Sequence, residues 1–211
     1  MTVRAYDSTL GRIRMLAGDP ALDFANTRHW RDGREVDFLP DYRSIVDWSV
    51  AAGLLRDTEG ERLRLVAEED PSRSSILHQQ ILELRDGWRQ HLSSTIGPQA
   101  SRPGTTLPEP FADMLSEILS SGQMAMGLLT VADRAGANIL LLPAVRIALA
   151  ITSLYLMPID RRLGRCEGDP CGGFFLNNSR SKPRRWCSME SCGNRAKVRQ
   201  FRSRFVAEEA G

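Results

Sequence analysis

The chain has 211 residues, of which 42% are hydrophobic and 26% charged, the composition of an ordinary globular protein. This length suits one mid-sized domain and a small second one. The first twenty residues contain no continuous apolar segment, which argues against a secretory signal peptide. The most apolar run, Ile139 to Met157, is interrupted by Pro143 and Arg146, so we expect no membrane span and a cytoplasmic protein.

The net charge of +2 conceals a strong asymmetry along the chain. Residues 161–205 carry 12 Lys and Arg against 3 Asp and Glu, whereas the remaining residues carry 16 against 23. One short segment therefore holds all of the excess positive charge. Such a separation indicates a polyanionic partner for that segment and a different task for the rest of the chain.

The first third of the chain is predicted to be helical. Asp19 and Pro20 form an N-cap followed by proline at the first helical position, which predicts a helix through the residues ALDFANT. The segment RHWRDGREVDFLPD that follows is polar and rich in turn formers, and we expect a loop. A second helix is expected over residues 42–52, with Gly53 at its end.

Two further helices are predicted before residue 97. Thr58 and Glu61 have the spacing of a capping box, which predicts a helix through RLRLVAEE. After Pro71 the apolar residues recur at intervals of three and four, the pattern of a long amphipathic helix. The residues of this stripe are Leu77, Ile81, Leu84, Trp88 and Leu92.

The middle of the chain has a less regular pattern. Residues 97–110 contain four prolines and two glycines and are expected to form an exposed loop. A helix is expected over residues 111–120, and residues 125–142 are expected to form two short strands joined by a turn at Asp133 to Gly136. An apolar helix from Pro143 to Met157 follows. The expected fold class is α+β, mostly α: a helical domain of residues 1–160 with one β-hairpin, and a small module of residues 161–211.

All of the cysteines lie in the small module, in two pairs of equal spacing: Cys166 with Cys171, and Cys187 with Cys192. Four thiolates satisfy the tetrahedral preference of zinc completely, which favours one structural Zn²⁺. The Asp-Pro and Gly-Gly sequences beside the first pair favour a tight turn, and the second pair precedes the final helix. This order predicts a treble-clef-like finger. Two disulfides, or four unrelated buried thiols, are the alternatives.

The final helix is predicted to be amphipathic and strongly basic. Val198, Phe201 and Phe205 share one face, which we expect to pack on the zinc loop or on the N-terminal domain. The basic side chains would then point outward and bind nucleic acid, although a solvated charged surface is the alternative. The predicted nucleic-acid-binding residues are Arg180, Lys182, Arg184, Arg185, Arg195, Lys197, Arg199, Arg202 and Arg204.

The C-terminal sequence RRWCSMESCGNRAK resembles the signature of the CGNR zinc finger family, and the upstream RCEGDPCGGFF also fits that family. One departure is the sequence Asn177 to Arg180, where family members commonly have Asp-Thr-Ser-Arg. The sequence LDFANT at residues 22–27 and the segment around Trp48 to Leu55 resemble the ABATE domain that usually accompanies this finger. The resemblance implies a bacterial stress-response transcription regulator whose finger binds DNA, and it implies no catalytic activity.

The sequence LDFANT also contains a candidate ligand pocket. Asp23, Asn26 and Arg28 have polar side chains close together in the sequence, and they are candidates for binding a small-molecule effector. The alternative is that these short polar side chains form hydrogen bonds to nearby backbone groups or side chains of the same protein.

Three functional hypotheses follow. The first is a regulator that binds duplex DNA through the finger, with an N-terminal domain that senses a small molecule or forms a homodimer, since one short helix contacts few bases. The second is an RNA-binding protein in which Phe174, Phe175 or Trp186 stacks on bases. The third is an enzyme with a basic targeting module. The sequence contains no recognisable catalytic motif, so we expect no enzyme.

Overall fold

The computed structural model describes residues 5–8, 11–31, 34–96, 106–129, 139–157, 163–177 and 183–209. Its helices are α1 Pro20–Ala25, α2 Tyr42–Ala51, α3 Asp57–Glu69, α4 Pro71–Thr95, α5 Glu109–Leu129, α6 Leu142–Leu156 and α7 Asn194–Glu209. Its strands pair antiparallel as β1 Ala5–Ser8 with β2 Gly11–Arg14, β3 Arg28–Arg31 with β4 Arg34–Asp37, and β5 Leu163–Arg165 with β6 Phe174–Leu176. The fold is mostly α with small hairpins, as predicted.

The short helix α1 begins where the sequence predicts. The Asp19 carboxylate accepts a hydrogen bond of 2.8 Å from the backbone N–H of Ala21, and Pro20 stands in the first turn, where its missing N–H costs nothing. The five residues after Pro20 are all buried. A helix of 6 residues has little stability of its own, so packing against its neighbours holds it in place.

The predicted apolar stripe of α4 is confirmed, and it forms the centre of the core. The stripe residues are all buried, and the Trp88 indole N–H donates a hydrogen bond of 3.0 Å to the carbonyl of Ala21 in α1. On the other side of α1, the rings of Phe24 and Trp48 lie 5.4 Å apart. Helix α6, also confirmed within one residue of its predicted bounds, completes this core with Ile147, among others.

The loop predicted after α1 is wrong, because Arg28–Arg31 and Arg34–Asp37 are the paired strands β3 and β4. His29 pairs with Val36 and Trp30 with Glu35 across the two strands. The sequence Asp32-Gly33 is a strong signal for a two-residue hairpin turn, although the polar residues on either side of it also suit a loop.

The hairpin predicted over residues 125–142 is also wrong in its described parts. Helix α5 continues through residues 125–129, and residues 139–141 lead directly into α6. The apolar run around residue 128 matches a buried strand and a buried helix equally well, so its periodicity could not decide between them. The predicted turn at 133–136 lies outside the described residues, as does most of the predicted loop 97–110.

The start of α3 lies two residues before the one that the predicted capping box implies. The helix begins at Asp57, and the Glu59 carboxylate, not that of Glu61, accepts a hydrogen bond of 2.8 Å from the backbone N–H of the N-cap Arg56. Within the part of the chain that the structure describes, no helix combines the length and the apolar character that crossing a bilayer requires.

The C-terminal hairpin packs into the N-terminal core. The Phe174 ring of β6 is 1% exposed and belongs to the same core as Trp88, and Leu163 and Leu176 pack at its edge. The backbone N–H of Leu176 donates a hydrogen bond of 2.7 Å to the carbonyl of Ala17. The domain boundary between residues 160 and 161 stays a prediction. In the structure, the two parts of the chain are in contact with each other.

The side chain of Asn26 stabilises the contact between α1 and β6. Its side-chain amide donates a hydrogen bond of 2.8 Å to the Phe174 carbonyl and accepts one of 2.9 Å from the Phe174 N–H. The amide therefore satisfies both backbone groups of a buried residue, as a neighbouring β-strand would. We call this contact between α1 and β6 the seam.

We predict that Asn26→Ala lowers the free energy of unfolding by about 2 to 4 kcal/mol, because it leaves two buried backbone groups without partners. Urea denaturation measures this loss, and hydrogen exchange should accelerate at the amides of Phe174 and Leu176. Asn194→Ala is the control, since its side chain makes one exposed hydrogen bond to Glu190. Equal effects of the two substitutions would contradict the role of the seam.

Candidate metal centre and basic surface

The four cysteine sulfurs lie in one cluster, all within 4.8 Å of one another. Cys166 and Cys171 stand in the loop between β5 and β6, Cys187 precedes a π-helical turn over Met189–Gly193, and Cys192 lies in that turn at the start of α7. The cysteines are free thiols, so the disulfide alternative does not hold. The order of loop, hairpin and helix is the predicted treble-clef-like arrangement.

The donor set fits one zinc ion. Four sulfurs at about 2.3 Å from a tetrahedral Zn²⁺ would lie roughly 3.8 Å from one another. The Sγ atoms of Cys171 and Cys187, and those of Cys187 and Cys192, are each 3.7 Å apart. Because four thiolates leave no open coordination position, the zinc of this chain is structural.

Groups around the cluster are placed to stabilise thiolate charge. The backbone N–H of Gly168 points to the Cys166 sulfur at 3.4 Å, and the Arg195 guanidinium donates a hydrogen bond of 3.0 Å to the Cys192 sulfur. Hydrogen bonds from Cys171 and Cys187 lower the pKa of the Cys166 thiol. The hydrogen bonds with Cys166 and burial raise the pKa of Cys171 and of Cys187. Because metal ligation requires thiolates, a bound cation would offset the mutual repulsion of four sulfurs packed this closely.

Glycines make the close approach of this loop and α7 possible. A Cβ atom on Gly168 would lie 2.9 Å from the Cβ of Cys192 and 3.3 Å from the Cys166 sulfur. Gly172 has a φ of +59°, a conformation that other residues rarely adopt. Beside the sulfurs, the buried Phe175 ring packs in a small cluster of its own with Cys166 and Cys192. We call the loop of residues 166–171 the zinc knuckle.

Two of the predicted nucleic-acid-binding arginines form contacts within the protein that stabilise the finger. Arg184 donates hydrogen bonds to the carbonyls of Leu176 at 2.8 Å and Leu16 at 3.4 Å, and its guanidinium lies 4.4 Å from the centre of the Phe175 ring. It therefore reinforces the seam. Arg195, described above, holds the Cys192 sulfur. The sequence could not separate these arginines from the others, because all of them share one basic segment.

Two other arginines form ion pairs with the zinc knuckle. Arg185 contacts the Glu167 carboxylate at 2.5 Å, and Arg199 contacts the Asp169 carboxylate at 3.2 Å. Both guanidinium groups are more than half exposed. These arginines therefore remain accessible to an external anion.

Of the other predicted nucleic-acid-binding residues, Lys197 and Arg202 are exposed on α7 and form no ion pair with a described residue. Arg180 and Lys182 lie outside the described residues, and so does the side chain of Arg204. The exposed basic side chains of Arg185, Lys197, Arg199 and Arg202, which lie on more than one side of α7, are together called the basic surface below.

The expectation that the apolar side of α7 packs against the protein is wrong. Val198 is 50% exposed and Phe201 is 62% exposed, while the side chain of Phe205 lies outside the described residues. Helix α7 has 16 residues and is therefore about 24 Å long, whereas the zinc knuckle is short and meets only its first turns. Val198 and Phe201 thus lie on a part of α7 that stays largely open to solvent.

The candidate pocket residues have separate partners. The buried Asp23 carboxylate accepts a hydrogen bond of 3.0 Å from the Ala17 N–H, and Asn26 forms the seam. Arg28 makes exposed ion pairs with Glu35 and Asp86. Each of the three side chains thus contacts nearby groups of the same protein, as the alternative to a ligand pocket expects. A role in binding a ligand stays a prediction.

Burial changes the acidity of Asp23. Desolvation raises the pKa of this carboxyl group to about 7, and the nearby charge of Asp19 adds to the effect, while hydrogen bonds from the N–H groups of Ala17 and Leu16 oppose it. Because the folded-state pKa lies above the unfolded one, the folded protein binds a proton that the unfolded chain releases. Stability from this residue is therefore present at acidic pH and is lost as the pH rises toward 7.

Two family models match the chain. The model of the CGNR zinc finger matches residues 162–205 and includes all four cysteines. The model of ABATE, described as "Putative stress-induced transcription regulator", matches residues 18–152 and includes α1 to α5 and most of α6. No curated protein and no solved structure matches the chain.

We predict that Cys192→Ser abolishes zinc binding and the order of the knuckle and α7, because a structural zinc contributes roughly 10 kcal/mol to the folding of a small module. Zinc content per chain, measured with a colorimetric chelator, tests this. Ser191→Ala is the control, since this exposed neighbour carries no thiol. One equivalent of tightly held zinc in the Cys192 variant would contradict the assignment.

We predict that Asp23→Asn gains stability relative to the wild type as the pH rises from 5 to 8. The variant has no charge to bury, so the difference between the two free energies of unfolding should change by about 2 to 4 kcal/mol over this range. Urea denaturation of both proteins at each pH measures it, and the comparison cancels the pH dependence of the zinc site. A difference that stays constant with pH would refute the buried, protonated carboxyl.

Proposed function

Because the chain belongs to the ABATE family and carries a CGNR zinc finger, we propose that it is a transcription regulator that binds duplex DNA through the finger. The observation that carries the proposal is the basic surface. It combines Lys197 and Arg202, which form no ion pair with a described residue, with two accessible arginines on a module held together by zinc. No acidic residue lies between Cys192 and Glu208, so α7 carries charge of one sign on all of its sides over this stretch.

The contacts divide the basic residues into two roles. Arg184 and Arg195 build the finger, and we do not assign them to DNA. Arg185, Lys197, Arg199 and Arg202 are the proposed DNA contacts, with α7 as the element that approaches a groove and Arg185 as a phosphate contact at its side. A single helix of this kind gives few contacts to bases. Homodimerisation would double the contacts, and we retain it as part of the proposal.

The N-terminal domain is proposed to sense a small molecule. The support is its contact with the finger, because α1 packs on α4 and α6 and also contacts β6, with its C-cap Asn26 at the seam. A ligand that moves α1 would change the position of the zinc knuckle. This route is short, and it requires no flexible linker between the modules.

The exposure of the aromatic rings argues against the alternative in which they stack on the bases of RNA. Phe174 and Phe175 are each 1% exposed, so neither ring can stack on a base. Trp186 is half-buried, and the Arg185 guanidinium lies 5.1 Å from the centre of its ring. Duplex DNA, contacted through phosphates and a groove, fits the exposed residues better.

We predict that the double substitution Lys197→Ala and Arg202→Ala weakens binding to a labelled random duplex about tenfold at low salt. It should also reduce the slope of log K against log salt by roughly 2, because about 0.9 counterion is released per phosphate contact. Fluorescence anisotropy at several salt concentrations measures both quantities.

The matched control is Arg43→Ala with Arg56→Ala, which removes the same charge from exposed positions of the N-terminal domain. It should leave the salt slope unchanged. An equal loss in both double variants would mean that net charge alone attracts DNA. No binding by the zinc-loaded wild type at low salt would overturn the proposed function itself.

A further inference from the structure

Two carboxylates of the zinc knuckle lie within the basic surface. Glu167 accepts hydrogen bonds from Arg185, with its Oε2 2.6 Å from Nε and 2.5 Å from Nη2. Asp169 accepts from Arg199 through its carboxylate at 3.2 Å and through its backbone carbonyl at 2.8 Å. Only Gly168 separates the two acids in the sequence. Each acid forms an ion pair with one arginine, Glu167 with Arg185 and Asp169 with Arg199.

We propose that Glu167 and Asp169 form an acidic gate that closely spaced phosphates must displace before Arg185 and Arg199 can bind nucleic acid. This inference rests on the proposed function, and it identifies residues that limit the affinity. The gate favours a polyanion over isolated anions, because a nucleic-acid backbone presents several phosphates at once and can replace both carboxylates together.

The zinc knuckle fixes the backbone of the two acids, while their carboxylates stay free to turn away from the arginines. The Glu167 N–H donates a hydrogen bond of 2.9 Å to the Arg185 carbonyl, and the Gly168 N–H contacts the Cys166 sulfur at 3.4 Å. The backbone of the gate is therefore fixed by the metal site. The two carboxylate side chains are 50% and 80% exposed, so each ion pair is weak and a phosphate can replace it.

Space for an incoming phosphate lies beside the Asp169–Arg199 pair. A cleft of about 400 Å³ separates the knuckle from α7, and Asp169, Arg195 and Arg199 line it. A phosphate that enters here meets cationic groups on the helix side and the gate carboxylates on the knuckle side. The carboxylates repel it until their side chains turn away, which lowers the affinity of the wild-type surface for any anion.

The test is binding of a labelled random DNA duplex by full-length, zinc-loaded protein carrying Glu167→Gln and Asp169→Asn. We expect the double variant to bind about three- to tenfold more tightly than the wild type at low salt, with a salt slope steeper by up to about 2. The control Glu61→Gln with Glu69→Gln makes the same change in net charge at exposed positions of α3. It should reproduce less than half of the gain in log affinity.

The outcomes separate the gate from the proposed function. If the wild type does not bind the duplex at all, the proposed function fails first. If the wild type binds and the gate variant matches the control, only the gate is overturned. Weaker binding by the gate variant would mean that the acids position the arginines, which also overturns it. Glu167→Ser with Asp169→Ser serves as a second variant, and loss of zinc in both would assign the acids to the metal loop and refute the gate.

Discussion

The arrangement of four sulfurs within 4.8 Å of one another is the constraint on which the finger depends. Four thiolates this close together repel one another, so a bound cation is needed to hold all four in the ionised form that ligates a metal. With zinc bound, the knuckle is fixed, and it fixes the acids Glu167 and Asp169 and the first turn of α7. The positions of Arg185 and Arg199 follow from those contacts. The metal therefore orders a charged surface, although it takes no part in binding an anion.

The seam gives this surface a fixed place on the rest of the molecule. Phe174 shares the core of α4, and the Asn26 amide supplies hydrogen bonds that a third strand would otherwise make. A module too small to bury much apolar surface thereby gains stability from a larger neighbour as well as from zinc. In the proposed function, these contacts make α1 the element that would pass an effector signal from the N-terminal domain to the finger.

The sequence predicted those features that depend on local patterns: the α4 stripe, the N-cap of α1, the apolar helix α6 and the cysteine cluster. It failed where the pattern was ambiguous, as in the apolar end of α5, or where the turn signal Asp32-Gly33 stands among polar residues that also suit a loop. It also could not divide the basic residues into structural and accessible ones. That division depends on contacts such as Arg184 with Leu16, which join residues 168 positions apart and leave no local signature. The exposure of Phe201 has the same origin, since helical periodicity shows which side chains share a face but not how deeply that face is buried.

Zinc-dependent binding of DNA by the intact chain is the central claim, and one titration tests it most directly. Anisotropy of a labelled random duplex is recorded with the zinc-loaded protein, again after a strong chelator has removed the metal, and again after zinc is restored. The account predicts that binding is lost on chelation and regained with zinc. Unchanged binding by the metal-free protein would contradict it, because the basic surface would then not depend on the fold that zinc stabilises.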